Sequence, residues 1–403
     1  MTDLEDRAAR PAEAERAAPS EAEQAAVPSE AERTVAQPAS ARSALHRRLD
    51  AGVVIPAHPL ALDEHGALDE RAQRAVTRYQ LQAGAHGLAV GVHSTQFELH
   101  HDPGMLRTVW EMAVEAAQEH AQSSADADTV APPADGTAVD APLLVAGLVG
   151  DTAQAVREAE SARDLGYEAV LMSPWGMADR NEQRLLERAE AVGEVLPTIG
   201  FYLQDSVGGL PLGRSFWRSL FDLESVVAVK AAPFDRYRTG DVVQELLAHD
   251  RWDQVALLTG NDDAIIADLV TPYRRRVRGV QREVRAKGGL LGQWAVGTRA
   301  AVVLVARANA EAESGAISQE LLALGADIVE INAAVFDVLH DFAGSVPGIN
   351  EVLRQQGLLP TTRCLGGDVL SPGQAELIRT LRGRFPELLD EEFIDEGRAR
   401  WLA

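Results

Sequence analysis

Val226-Val-Ala-Val-Lys230-Ala-Ala232 is an apolar run of strand length with a single amine in it. The chain carries 38 Lys plus Arg, and only Lys230 and Lys287 are lysine. Wherever a cation alone is needed, this sequence uses Arg. A guanidinium stays protonated and cannot act as a nucleophile. A lysine in an apolar pocket sheds its proton near neutral pH and attacks carbonyls. The run therefore reads as a buried strand whose amine serves chemistry. The plainer alternative is a lysine at a strand end with its head in water.

Outward from this run, short apolar stretches alternate with amphipathic ones. Gly52–Ala57, Gly87–Val92, Leu143–Val149, Glu168–Ser173 and Thr198–Leu203 read as strands before it, and Gln254–Thr259 and Leu290–Val296 after it. Between them the spacing predicts helices over Asp69–Ala83, Pro103–Gln118, Thr152–Leu165, Asn181–Val195, Arg214–Phe221 and Gly240–His249, and over the Arg-rich Ile265–Lys287. Eight strand–helix units over about 250 residues predict a (β/α)8 TIM barrel spanning residues 51–298. A doubly wound open sheet is the alternative, but no Gly-x-Gly-x-x-Gly turn follows the first strand. Residues 299–403 read as a C-terminal helical extension, with helices over Arg299–Ala312, Ser318–Ala343, Gly348–Gln356, Pro372–Arg382 and Glu391–Leu402.

Residues 1–42 are an acidic Ala/Glu/Pro tail in which Pro-Ser-Glu-Ala-Glu occurs twice, from Pro19 and from Pro28. Without aromatic residues it cannot bury enough apolar surface to offset its ordering entropy, so disorder is expected. Residues 122–142 form a low-complexity insert expected to be a surface loop. The formal net charge of −23 argues against nucleic acid and anionic membranes as partners. The single cysteine, Cys364, rules out an intrachain disulfide. Neither a membrane-length apolar run nor a secretory signal is visible, so the cytoplasm is the default expectation.

In such barrels the reactive groups lie at the C-terminal ends of the strands. That places Lys230 at the mouth, with Tyr202 near the end of the preceding strand as a candidate proton relay. The alternative for Tyr202 is a core aromatic with a bonded hydroxyl. His58 and His93 follow strands one and two, with His100 and His101 close by. They read either as an acid/base pair or metal site, or as substrate hydrogen bonders and loop packing. No carboxylate stands at ligand spacing from them, so neither a metal nor a cofactor is assigned. Asn261, Asp262 and Asp263 follow strand seven and are expected to shape the mouth or cap the next helix. The arginines of 274–285 read as a solvated helix face.

Several stretches match in order. These are Ile55-Pro-Ala-His-Pro-Leu60 with Asp63-Glu-His-Gly-Ala-Leu-Asp69, Ala83-Gly-Ala-His-Gly-Leu-Ala-Val90, Leu171-Met-Ser-Pro-Trp175, Phe201-Tyr202, Val227-Ala-Val-Lys230-Ala-Ala232 and Thr259-Gly-Asn-Asp-Asp263. Together they resemble the dihydrodipicolinate synthase / N-acetylneuraminate lyase superfamily, barrel aldolases and dehydratases that act on 2-oxo acids through a lysine Schiff base. The resemblance implies Lys230 as the nucleophile and Tyr202 as its relay. Ser94 and Thr95 would hold the substrate carboxylate, and the chain would be a homo-oligomer, commonly a tetramer. His93, His58 and Asn261 complete the expected substrate-binding set. The loop Gly91-Val-His-Ser-Thr-Gln-Phe97 departs from the family's Gly-Thr-Thr-Gly-Glu. Val207 replaces an arginine of the synthase branch, which argues against a true dihydrodipicolinate synthase. The expected activity is a Schiff-base lyase on a 2-oxo acid or 2-keto-deoxy sugar acid. The rivals are a non-catalytic metabolite-binding barrel and a metal-dependent lyase using His58 and His93.

Overall fold

A computed structural model describes residues 39–126 and 141–403. Eight parallel strands make one sheet: β1 (Val54–Pro56), β2 (Gly87–Val90), β3 (Leu143–Leu148), β4 (Ala169–Met172), β5 (Thr198–Leu203), β6 (Val226–Ala232), β7 (Ala256–Thr259) and, after a hairpin of β8 (Tyr273–Val277) and β9 (Val280–Val284), β10 (Gly288–Leu291). The sheet runs in the order β1-β10-β7-β6-β5-β4-β3-β2. It closes where Ala57 bridges Ala89 and the His58 N–H donates to the Ala89 carbonyl at 2.8 Å. The result is the expected (β/α)8 barrel.

The helices follow the strands in turn: α1 (Ala39–Asp50) precedes β1, and then come α2 (Glu70–Gln82), α3 (Pro103–Asp126), α4 (Thr152–Leu165), α5 (Glu182–Gly193), α6 (Arg214–Asp222), α7 (Arg236–Ala248), α8 (Ile265–Val270) and α9 (Thr298–Ser314). Aspartates start several of them. Asp69, Asp151 and Asp235 each accept backbone N–H groups of the first turn of α2, α4 and α7. Four further helices end the chain: α10 (Gln319–Val335), α11 (Ser345–Gln355), α12 (Gln374–Arg384) and α13 (Glu391–Trp401). Asp390, just ahead of α13, accepts the Tyr79 hydroxyl at 2.7 Å and the Arg299 and Ala300 N–H groups, tying the last helix to α2 and to the start of α9.

Strand parity decides what faces the site. A register shift between β5 and β6 pairs Thr198 with Val226 but Ile199 with Ala228, leaving Val227 as an extra residue. From there Ala228 and Lys230 stand level with Ile199 and Phe201. Ile199 and Ala228 belong to the barrel's inner core and Phe201 packs on it, while Tyr202, Val229 and Ala231 belong to the layer between sheet and helices. Period-two alternation thus turns Lys230 inward and Tyr202 outward.

Three expectations are corrected. The stretch read as one helix over Ile265–Lys287 is the short α8 followed by an antiparallel hairpin, β8 (Tyr273–Val277) and β9 (Val280–Val284). Arg278 and Gly279 take φ of 47° and 84°, the two positive values of a tight two-residue hairpin turn. Its arginines do not form a solvated helix face. Arg275 donates to the Gln244 carbonyl and Arg282 to those of Leu247 and His249, at the end of α7, while Arg285 donates to Leu269 at the end of α8. At Leu247, His249 and Leu269 the guanidinium groups satisfy carbonyls that lack helical partners. Next, the stretch read as one helix over Ser318–Ala343 ends at Val335, and Asp337, Asp341 and Phe342 then take positive φ.

The third correction concerns the expected disordered tail and insert. Residues 39–42 belong to α1 and residues 122–126 to α3, and the rest of both segments lies outside the described residues. α1 plugs the N-terminal end of the barrel. Leu45 and Leu49 join Val53 and Val227 in the inner core. Burying each of these leucines is worth about 1.5–3 kcal/mol.

Candidate active site

At the C-terminal mouth the inward residues line a cavity of about 60 Å³. A cavity needs roughly 10–15 Å³ to admit one water, so this one takes a molecule of a few heavy atoms. Lys230 lines it from β6, Phe201 from β5, Gly260 and Asp262 from the end of β7, and His93 and Ser94 from the loop after β2. Phe234, Phe336 and Phe342 add aromatic walls, the last two from the segment joining α10 to α11. That segment is pinned by Asp337, whose carboxylate accepts from the His340 ring at 2.6 Å, the Gly344 N–H at 3.0 Å and the Ser371 hydroxyl at 2.5 Å.

Lys230 is only 8% exposed. Burial pulls its pKa down to about 8, with the Asp262 charge opposing. Burial likewise pushes Asp262 up to about 7, with the Gln293 N–H and Lys230 opposing. Each group is made less willing to ionise by the apolar walls, and the charge of each favours ionisation of the other. Asp262 is held on both sides: its Oδ1 accepts the Gln293 N–H at 3.1 Å, and its carbonyl accepts the Asn332 amide at 2.7 Å. The Lys230 Nζ lies 4.4 Å from the centre of the Phe201 ring. Gly260 makes room for the lysine, since a Cβ there would stand 2.4 Å from Lys230 Cε. The other lysine, Lys287, is half-exposed and ion-paired with Asp50 at 2.6 Å.

His93 lines the cavity. Enclosure, and then the Lys230 charge, push its imidazole pKa down to about 4, so it is neutral at neutral pH. Ser94 lines the cavity beside it.

Four expected site residues are placed elsewhere. Tyr202 faces the helix layer, with its ring 5.2 Å from that of Trp217 and its hydroxyl accepting the Leu212 N–H at 3.3 Å. Thr95 knits its own loop: its hydroxyl donates to the His58 carbonyl at 2.6 Å and accepts from the Gly91 and Val92 N–H groups.

His58 is fully buried between β1 and α2. The Gln73 side-chain oxygen accepts the Ala61 N–H, so its nitrogen donates to His58 Nε2 at 2.8 Å, and Nδ1 donates to Gln80 Oε1 at 2.7 Å. With both ring nitrogens engaged and its pKa pushed down to about 4 by burial, His58 is a neutral structural histidine. Asn261 is saturated likewise, accepting the Phe234 N–H and donating to Thr239 and Asp268. Of the neighbouring pair it is Asp262 that reaches the cavity. Among the described residues no group of three His, Cys, Asp or Glu side chains is arranged to hold a metal ion.

Comparison with solved structures adds to this geometry. Dihydrodipicolinate synthase from Oceanobacillus iheyensis superposes with a TM-score of 0.64 at 17% identity, over 86% of this chain and 99% of that one. N-acetylneuraminate lyase from Fusobacterium nucleatum, complexed with pyruvate, gives 0.62 at 17% identity over 83% and 97%. A prophage protein of the dihydrodipicolinic acid synthase family from E. coli K12, in complex with pyruvate, gives 0.63 at 14% identity over 83% and 98%. The chain has their fold. No protein-family model and no curated protein matches it. No helix among the described residues is long and apolar enough to cross a membrane.

Proposed function

We propose that this protein is a Schiff-base-forming lyase, an aldolase or dehydratase, acting on a small 2-oxo acid through Lys230. One observation carries the reading: a buried amine whose pKa is drawn down to about 8, lining a cavity at the C-terminal mouth of a barrel. A neutral amine adds to a ketone, and the resulting protonated imine withdraws electrons from the neighbouring carbon. That electron sink serves carbon–carbon cleavage and loss of water alike. Two of the superposed structures were solved with pyruvate, a substrate class of the right size for the cavity. His93 and Ser94, which line the cavity with Lys230, are the groups we assign to its carboxylate. The phenylalanine walls favour a short oxo acid over a polyhydroxylated sugar acid. Sodium borohydride with pyruvate, followed by peptide mass spectrometry, tests the reading. A reduced adduct on Lys230 is expected, and its absence across pyruvate and its short 2-oxo homologues would sink it.

One contact favours a second reading, a barrel that binds a carboxylate without turning it over. The Phe201 ring against Nζ stabilises the ammonium form, and an ammonium holds an anion without bonding to it. Here a pyruvate-dependent thermal shift would appear in the wild type with no borohydride adduct.

A further inference from the structure

Imine formation needs a group that gives a proton to the departing oxygen and takes one from nitrogen. The tyrosine singled out in the sequence cannot do this, because β5 presents Phe201 to the amine and turns Tyr202 toward Trp217. The other strand beside β6 is β7, where Lys230 pairs with Leu258. Three residues beyond the end of β7 stands Asp262, whose carboxyl lines the same cavity as the amine and is anchored there by the Gln293 N–H.

We propose that Asp262 is the acid/base catalyst of the Lys230 amine, in the place where a phenol is missing. This rests on the Schiff-base reading and deepens it.

The proton inventory closes within the pair. In the reactive form Lys230 is a free amine and Asp262 a carboxylic acid. The nitrogen lone pair forms the C–N bond while the carbonyl π pair moves to oxygen, which takes the proton of Asp262. The Asp262 carboxylate then takes a proton from the now cationic nitrogen, giving the neutral carbinolamine and restoring the acid. In the second half Asp262 protonates the hydroxyl, the C–O bond breaks and water leaves. The nitrogen lone pair forms C=N, and an iminium remains beside a carboxylate. Each proton moves between groups on the wall of one cavity. The same burial that makes Lys230 a nucleophile keeps part of Asp262 protonated near neutral pH. Asp262 belongs to the site for this reason, whereas Asn261, one residue earlier, spends its amide on Thr239 and Asp268.

The experiment is the rate of trapping with pyruvate from pH 5.5 to 10 on the full chain, with cyanoborohydride as the reductant because borohydride is destroyed by acid. In the wild type the rate is expected to be bell-shaped, with its maximum between about 7 and about 8, since both the free amine and the carboxylic acid are required. Asp262→Asn should slow trapping about 10²-fold or more, the usual contribution of a positioned acid/base group. The surviving rate should lose its basic limb. Asp262→Ala should recover in part when formate is added, because a small acid fits the space vacated by the carboxyl. A wild-type rate that climbs to a plateau and holds it to pH 10 overturns the proposal without needing any variant. Trapping by Asp262→Asn at the wild-type rate overturns it while leaving the Schiff base standing. Failure of the wild type to trap removes the Schiff-base reading itself, and this proposal with it.

Discussion

Phe201 and Lys230 stand level on adjacent parallel strands, with the ring centre 4.4 Å from Nζ, and the tyrosine one residue later points the other way. The two aromatic residues therefore have separable roles. Tyr202→Phe removes only the bond from the Leu212 N–H and is expected to lose about 0.5–1.5 kcal/mol of stability. Its trapping rate should stay within about twofold of wild type on the view that general acid/base work lies elsewhere. Phe201→Leu removes the face that favours the ammonium, so the lysine pKa falls further. A cation–π contact worth about 0.5–2 kcal/mol moves the acidic limb of the trapping profile down by up to about 1.5 pH units. Urea unfolding and the pH profile, run on both variants, check the pair.

Gly260→Ala tests how tightly the lysine is seated. The added Cβ would lie 2.4 Å from Lys230 Cε and 2.7 Å from the Ala232 Cβ. Ala232 sits on a paired strand and cannot yield, so the lysine must. Overpacking of this kind costs about 1–3 kcal/mol, and a nucleophile displaced by an ångström loses about 10²-fold in rate. Thermal unfolding and adduct yield measure the two effects. A variant that traps pyruvate at the wild-type rate would show that the amine has room to spare.

The barrel was legible because eight apolar runs of strand length are spaced by helices, and the nucleophile because lysine is so rare in this chain. Parity was not legible. Val226–Ala232 is apolar on both faces, as strands of a covered parallel sheet are, so no alternation says which side chains point inward, and the register shift at Val227 hides the count. That is why the sequence alone points Tyr202 at the amine. His58 and Asn261 misled for a different reason. A polar residue just after a strand looks the same in sequence whether it meets a ligand or is satisfied by Gln73, Gln80, Thr239 and Asp268. Those partners come from helices that only the fold brings near. The β8–β9 hairpin looks helical in sequence because arginine is a good helix former, while its alternation is carried by Tyr273, Arg275 and Val277, half-buried among exposed arginines.

His58 makes the fold acid-sensitive. Its pKa is about 4 in the folded chain against 6.5 when free. Between those values the unfolded chain takes up a proton that the folded one refuses, so stability falls as pH drops from 6.5 toward 4. At about 1.4 kcal/mol for each pH unit, the loss approaches about 3 kcal/mol at pH 4. Replacing His58 with Asn should remove most of this slope while lowering stability at pH 7, because Gln73 and Gln80 lose a partner each, at about 1–3 kcal/mol per orphaned group. Urea unfolding of both proteins at pH 7, 5.5 and 4.5 is the measurement, with a parallel slope in the variant as the contrary result.

The same linkage runs in two directions at the site. Lys230 is depressed, so from about 8 to 10.5 the unfolded chain holds the extra proton and stability rises with pH. Asp262 is elevated, so from 3.8 to about 7 the folded chain holds the extra proton and stability falls as pH rises. Both penalties are fully present only between about 7 and 8, where the proposed chemistry runs. Replacing the pair with Lys230→Met and Asp262→Asn together keeps the volume and the acceptor for the Gln293 N–H. The double variant should therefore be more stable than wild type at pH 7.5, by about 1–4 kcal/mol, because two buried groups that resist ionising give way to uncharged ones. The gain should shrink at pH 5 and again at pH 10, as one member of the pair becomes neutral at each end. Lys230→Met alone should gain less, because it strands the carboxyl. A double variant no more stable than wild type at pH 7.5 would mean that these two groups are held there for stability and not against it.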